Sequence, residues 1–237
     1  VLGGLIRRSV GQDERGTFVW WTNGDGLAPA ANMSPEGYAR LRIAECDEAL
    51  RRLGASLERK IDLRTSEIEN YRRFTHVAAG GPLRARALEY FRHEAWRVDR
   101  QVRRADPDRV FVLAWQGGHP EHDLLHAMTA LSVRRLRRES GRAIPIIQCP
   151  AYEFVIACAL RFKPWFRGYR RRLRLGDEEL TAKQRVFEAY PSQIELLERF
   201  RKVITTLGWA AMALDGRRTT VEDWLRQEEM GVVAPDL

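Results

Sequence analysis

The sequence predicts an α/β domain, a mainly parallel sheet with helices on both faces. Three observations carry that expectation. Short apolar runs that end in turn residues alternate with longer stretches whose apolar positions recur at three and four. Neither internal repeats nor low-complexity linkers divide the chain. Its 237 residues, 44% of them hydrophobic, suffice for one sizeable core. Strands that alternate with helices build parallel sheets, because each return to the same sheet edge needs a crossover helix. In such sheets the ligand crevice lies beyond the carboxyl ends of the strands.

The elements follow in order. GTFVWWTNGDG, residues 16–26, reads as a buried strand that ends in a Gly/Asn/Asp turn. Ser34 as N-cap and Pro35 at the first helical position open the next helix, which runs through EGYARLRIAECDEALRRLG and stops at Gly54. Residues 82–104 carry Leu88, Phe91, Ala95, Val98 and Val102 at helical spacing, an amphipathic helix. RVFVLAW (109–115) is a second buried strand, and the helix HPEHDLLHAMTALSVRRLRR opens directly from it. AIPIIQCP (143–150) is a third strand. The last third, residues 160–237, reads as a basic strand followed by helices around DEELTAKQRVFEAY and IELLERFRKVIT.

Composition narrows the function classes. The net charge of +8 invites a nucleic-acid reading. The arginines, however, cluster in RRLRRESGR (134–142) and RGYRRRLRLG (167–176), at a helix C-terminus and on an expected edge strand. Positive charge is favoured at the first by the helix dipole and at the second because it blocks edge pairing. Nothing interleaves aromatics with these arginines as a stacking platform, so a nucleic-acid partner is not expected. No apolar run approaches the roughly 20 residues of a membrane span. Three cysteines, Cys46, Cys149 and Cys158, with no C-x-x-C pair, exclude a cysteine zinc site and a disulfide framework and suit a reducing cytoplasm.

The chain holds five histidines, and three of them fall within AWQGGHPEHDLLH, residues 114–126. His119 and His122 come directly after the carboxyl end of a predicted strand, where a site belongs. Pro120 suits the first helical turn, and His122 then sits near the positive end of the helix dipole, which disfavours imidazolium. A neutral imidazole is the form a zinc ion requires. His126, one turn deeper, is expected to pack rather than to ligate. His76 and His93, in an apparent loop and in the long helix, occupy no comparable place. Two histidines do not complete a catalytic zinc site, which usually takes three protein ligands and a water. Arg42 shares a helical stripe with Cys46, Ala49 and Leu53, so it points from the top of a buried stripe towards the crevice. There it meets sugar hydroxyls or a phosphate, or else closes a salt bridge to Glu45 or Glu48.

These residues resemble a family. WQGGHPEHD (115–123) is similar to the G-G-H-P-D-H-D-like motif of the LmbE-like, or PIG-L, N-acetylglucosaminyl deacetylases. RIAECDEALRRLG (42–54) resembles a helix of that family, and KQRVFEAYPSQ (183–193) its late K-x-x-A-x-x-x-Y-x-S-Q segment. FVWWTNGDG stands where the family has a strand ending in T-D-G-E or similar. The resemblance runs over most of the chain and implies a single Rossmann-like domain over residues 1–237. It also implies that VLGGLI, residues 1–6, follows directly on an H-P-D-D loop that ends the family's first strand. That loop supplies two metal ligands, a His and the second Asp, and a general base, the first Asp. The parent protein is therefore expected to carry about 10–20 further residues upstream, one strand and its loop.

The activity that the resemblance implies is hydrolysis of the acetamide of an N-acetylglucosamine-type sugar conjugate, giving acetate and a free amine. Zinc, or another divalent metal, is the implied cofactor, with His122 as ligand and His119 as the group that stabilises the oxyanion or protonates the leaving amine. Arg42 matches the family's substrate-binding arginine. Asp123 either orients a histidine or caps the helix. The partner is thus a small N-acetylated amino-sugar conjugate, and the oligomeric state stays open, a homo-oligomer included. The family's acidic substrate contact falls in KIDLRTSEIENYRRF (60–74), where Asp62 and Glu67 both qualify. Tyr190, Ser192 and Gln193 match the late segment, although their spacing also suits packing and capping. Trp165 and Phe166 line an acceptor site or belong to a packed loop, the loop being preferred. The competing reading is a metal-free relative that binds sugar or serves as a scaffold.

Overall fold

The computed structural model describes residues 2–151, 161–162, 166–195, 198, 202 and 221–233. The chain opens with a helix, α1 (Gly3–Gly11), and the strand β1 (Phe18–Thr22) follows. Helix α2 (Pro35–Arg52) begins as its sequence dictates, with the Ser34 hydroxyl accepting the Gly37 amide and Pro35 in the first turn. It ends before Gly54, whose φ of +77° only glycine adopts without strain. Strand β2 (Lys60–Thr65) leads into α3 (Glu67–Ala79) and the long α4 (Pro82–Ala105). Strand β3 (Val110–Leu113), helix α5 (Pro120–Ser140) and strand β4 (Ile146–Cys149) form a right-sized βαβ unit. Strand β5 (Arg170–Arg174), helix α6 (Asp177–Phe187), a short helical turn at Val221–Leu225 and strand β6 (Gln227–Val232) complete the described elements.

The strands form two sheets. β1 and β2 pair in parallel, and β3, β4, β6 and β5 lie side by side in that order. β3 and β4 run parallel, while β6 is antiparallel to both its neighbours. The expected parallel pairing therefore holds in the first two-thirds, and an antiparallel pair closes the sheet. The basic strand is an edge strand, β5, as its arginines predict.

One continuous core lies beneath α4 and α5. Trp21, Leu63, Val98 and Met128 make its part under the first sheet, and Val112, Val133, Ile144 and Ile146 its part under the second. Val102 and Leu125 touch both parts. Burying each such aliphatic side chain stabilises by about 1.5–3 kcal/mol. In a second group of helices, α1 packs on α6 and α6 on α2. Among the described residues no helix is long and apolar enough to cross a membrane.

Several expectations are corrected here. β1 is only half buried, with Trp21 its one fully buried residue, because it pairs with a single neighbour. Leu88 is exposed, whereas Phe91, Ala95, Val98 and Val102 face the core as expected, joined on the buried side of α4 by Ala87, Glu94 and Asp99. His76 lies in a helix, α3, not in a loop. That helix carries a legible start, Ser66 with Glu69 at the third helical position, and the Ser66 hydroxyl does accept the Glu69 amide. Strand β6 escapes apolar patterning because Glu228 and Glu229 are buried in it. Glu228 accepts the Gly4 and Leu5 amides at the start of α1 and pairs with buried Lys183 at 3.0 Å. Glu229 accepts the Phe162 amide and pairs with Arg172. Trp165, Cys158 and most of IELLERFRKVIT lie outside the described residues.

Candidate active site

The loop that leaves β3 is held by its own helix. The Asp123 carboxylate accepts the amides of Gln116 and Gly117 at 2.9 and 3.2 Å, and the Gln116 side chain accepts the Ala151 amide at 2.8 Å. Asp123 therefore fastens the loop that precedes the helix, a contact that is neither a helix cap nor a bond to a histidine. His119 occupies the N-cap of α5 in extended backbone, its side chain making no capping bond. One turn on, the His122 ring stacks on it, with centroids 4.2 Å apart and planes at 22°.

Burial lowers the pKa of both rings. For His119 the nearby Glu67 and Asp123 oppose the effect without cancelling it. For His122 burial comes first and the neighbouring His119 second, and the value falls to about 4. Burial thus disfavours the protonated form of both rings and favours the neutral form of His122. His126 packs as anticipated, its Nδ1 2.9 Å from the Leu113 carbonyl.

Helix α3 supplies the opposite wall. Asp25, buried in the turn after β1, accepts the amides of Glu67 and Ile68 and the Ser66 hydroxyl, and so caps α3. The turn itself needs Gly24, where φ is +77° and a Cβ would lie 3.1 Å from the Arg42 side chain. Glu67 accepts from the Thr22 hydroxyl at 2.8 Å and the Gly26 amide at 3.2 Å. Three residues on, fully buried Asn70 donates to Glu121 at 2.7 Å and accepts from the Tyr90 hydroxyl. Burial, aided by Glu67 and Asp25, pushes the Glu121 carboxyl up to about 8, against the Asn70 bond. Burial therefore favours its protonated form. The Tyr71 hydroxyl lies 3.2 Å from His119 Nε2.

The structure brings the sequence-read His119, His122 and Asp123 together at the head of α5. Beside them stand Asp25, Asn70, Tyr71 and Glu121, which the sequence reading did not single out. Glu121 stands within the quoted motif, and Asp25 within the quoted turn. Of the two acidic candidates, Asp62 accepts from Lys60 at 2.7 Å within its strand, whereas Glu67 sits at the strand end that faces His119. Arg42 reaches the same end of the sheet but closes on Glu45, the salt-bridge alternative, and lies over the Tyr190 ring. Glu45 also accepts the Ser192 amide and hydroxyl, and Gln193 donates to the Tyr38 hydroxyl. The late segment thus packs on α2. Phe166 stacks on Phe162 at 4.2 Å, as a packed loop requires.

His122 has the chemical form of a metal donor. Among the described residues, however, no group of three or more His, Cys, Asp and Glu is arranged to hold a metal ion. These residues do not by themselves fit a catalytic metal, and no step is derived through one.

The family profile of the GlcNAc-PI de-N-acetylases, PIG-L, matches residues 1–132, more than half of the chain. The chain belongs to the PIG-L family. No curated protein matches it in sequence. Solved structures share the PIG-L chain's fold. The A40926 pseudoaglycone deacetylase superposes with a TM-score of 0.62 at 17% identity, over 98% of this chain and 90% of that one. The zinc-inhibited form of a teicoplanin deacetylase gives 0.64 at 12% identity, over 98% and 92%. The 4-carboxy-2-hydroxymuconate hydratase of Pseudomonas putida KT2440 gives 0.56 at 14% identity, over 97% and 88%. The mixed α/β architecture of the family is therefore present, and one of these three folds carries a different chemistry, so the reaction has to be argued from the site.

Proposed function

We propose that this PIG-L protein is a hydrolase that removes the acetyl group from an N-acetylglucosamine-type sugar conjugate. The observation that carries the reading is the stacked pair His119 and His122 at the head of α5, held towards neutrality by burial, with the Glu67 carboxyl near His119. The family description and two deacetylases among the superposed structures support it. Water adds to the acetamide carbonyl carbon, the C–N bond breaks, and the nitrogen leaves with a proton as the free amine beside acetate.

His119, kept neutral by burial, suits donation of an N–H to the developing oxyanion better than delivery of a proton. His122 is assigned as a metal ligand, although among the described residues no further donors are gathered with it. A divalent ion, zinc first, supplies Lewis-acid polarisation when bound. Asp123 keeps both histidines in register by holding the loop before them. Glu67 is the acidic substrate contact, and Arg42 reaches sugar hydroxyls from its anchorage on Glu45. The substrate is a small molecule, and neither nucleic acid nor a membrane enters the reading.

A second reading, a metal-free relative that binds sugar, is favoured by the incomplete donor set among the described residues. Metal analysis of the full-length protein, joined to an acetate-release assay on N-acetylglucosamine conjugates, separates the two. Stoichiometric divalent metal with acetate release supports the hydrolase. Sugar binding with neither metal nor acetate supports the relative and ends the deacetylase assignment.

A further inference from the structure

We propose that Trp115 is the platform on which the aglycone of the sugar conjugate stacks, so that the site prefers an aromatic aglycone to a small aliphatic one. The inference deepens the deacetylase reading and rests on it for the identity of the sugar. Trp115 stands just beyond the last residue of β3, Leu113, at the strand end where the crevice of a parallel sheet opens. It is 60% exposed and belongs to neither hydrophobic cluster, so folding leaves most of a large apolar ring in water. A lone exposed aromatic on an open surface means little, but this one is held on a rigid frame beside the histidine pair.

Both neighbours make that frame. The Ala114 amide donates to the Cys149 carbonyl at 2.9 Å, the Gln116 amide donates to Asp123, and the Gln116 side chain accepts the Ala151 amide. The Trp115 ring stands perpendicular to that of His126, with centroids 6.4 Å apart, and His126 is itself buried against the Leu113 carbonyl. The indole is thus oriented before a ligand arrives, which removes an ordering cost from binding. Between Trp115 and His119 the space is open: a Cβ added to Gly117 would meet nothing within 4 Å. His126 follows His122 by four positions on one face of α5, about 5–6 Å along it, and Trp115 lies beside His126. An acetamide held at the histidine pair therefore sets its sugar ring over that step and the aglycone over the indole. There the ring offers burial and dispersion to an apolar group rather than hydrogen bonds to hydroxyls.

The test uses the full-length protein and two probes that differ only in the aglycone, the p-nitrophenyl and methyl glycosides of N-acetylglucosamine in one anomeric form. Dissociation constants are read by ligand-observed NMR titration, independently of turnover. In the wild type the p-nitrophenyl glycoside binds about 5–10-fold more tightly than the methyl glycoside. Trp115→Ala removes that preference and leaves the affinity for the methyl glycoside and the thermal midpoint unmoved, while Trp115→Phe keeps part of the preference. Equal affinities in the wild type, binding of neither glycoside, a preference that survives in Trp115→Ala, or an equal loss for both glycosides overturns the proposal. Should the wild type release no acetate while the preference and its dependence on Trp115 remain, the deacetylase reading fails and the platform stands.

Discussion

His119 and His122 lie three positions apart, and their neighbours assign them different duties. His122 is the more strongly held in its neutral form, and His119 is the one that meets Tyr71 and feels Glu67. His122→Gln is expected to lose bound metal and activity together while far-UV circular dichroism stays that of the wild type. His119→Gln is expected to keep the metal and lose about 10²-fold or more in kcat. Equal metal loss in both variants would contradict the division of roles. At this scale the pair was legible because HPEH stands at a strand end in a chain poor in histidine. The partners Asn70 and Tyr71 were not legible, since nothing within ENYRRF announces that one face of a helix meets a loop 48 residues later.

Among the elements, α3 and α4 show how polar side chains join the sheet to its helices. Glu94 of α4 is buried and accepts from Trp21 of β1 at 2.9 Å, from Thr65 at the end of β2, and from Arg97. Burial opposes its ionisation, but Thr65, Arg97 and Trp21 outweigh that and leave its pKa below the ordinary glutamate value. A depressed carboxyl stabilises the fold above its unfolded pKa and loses that contribution as pH falls through the lower, folded value. Glu94→Gln should therefore cost about 1–3 kcal/mol at pH 7, with the difference from wild type shrinking below pH 4 in acid-resolved urea denaturation. A difference that does not change with pH would count against the ionised, three-donor arrangement. Ser66→Ala should cost about 1 kcal/mol by thermal melting, because the hydroxyl caps α3. The start of α3 is written in Ser66 and Glu69, whereas the placement of Glu94 on a buried face runs against helical patterning and hid the polar seam.

Across the whole molecule, the first helix is secured by the last strand. Glu228 of β6 takes the leading amides of α1, and Lys183 of α6 pairs with it although burial lowers the lysine pKa. Glu228→Ala leaves the Lys183 ammonium buried without its carboxylate and should cost about 3–5 kcal/mol, read as a lower urea midpoint. A midpoint equal to that of the wild type would show that α1 and α6 are held by packing alone. No local pattern predicts this contact, because its partners lie more than 220 residues apart.

From the sequence alone came the α/β class, the bounds of α2 and α4, the basic edge strand and the histidine pair, all of which follow from periodicity, capping and turn chemistry within a few residues. The tertiary structure decided which carboxyl faces His119, what Arg42 and Asp123 hold, and that Gln227–Val232 is a strand with two buried glutamates. Those outcomes depend on burial and on partners distant in sequence, and desolvation acts only once the chain has folded around the groups concerned.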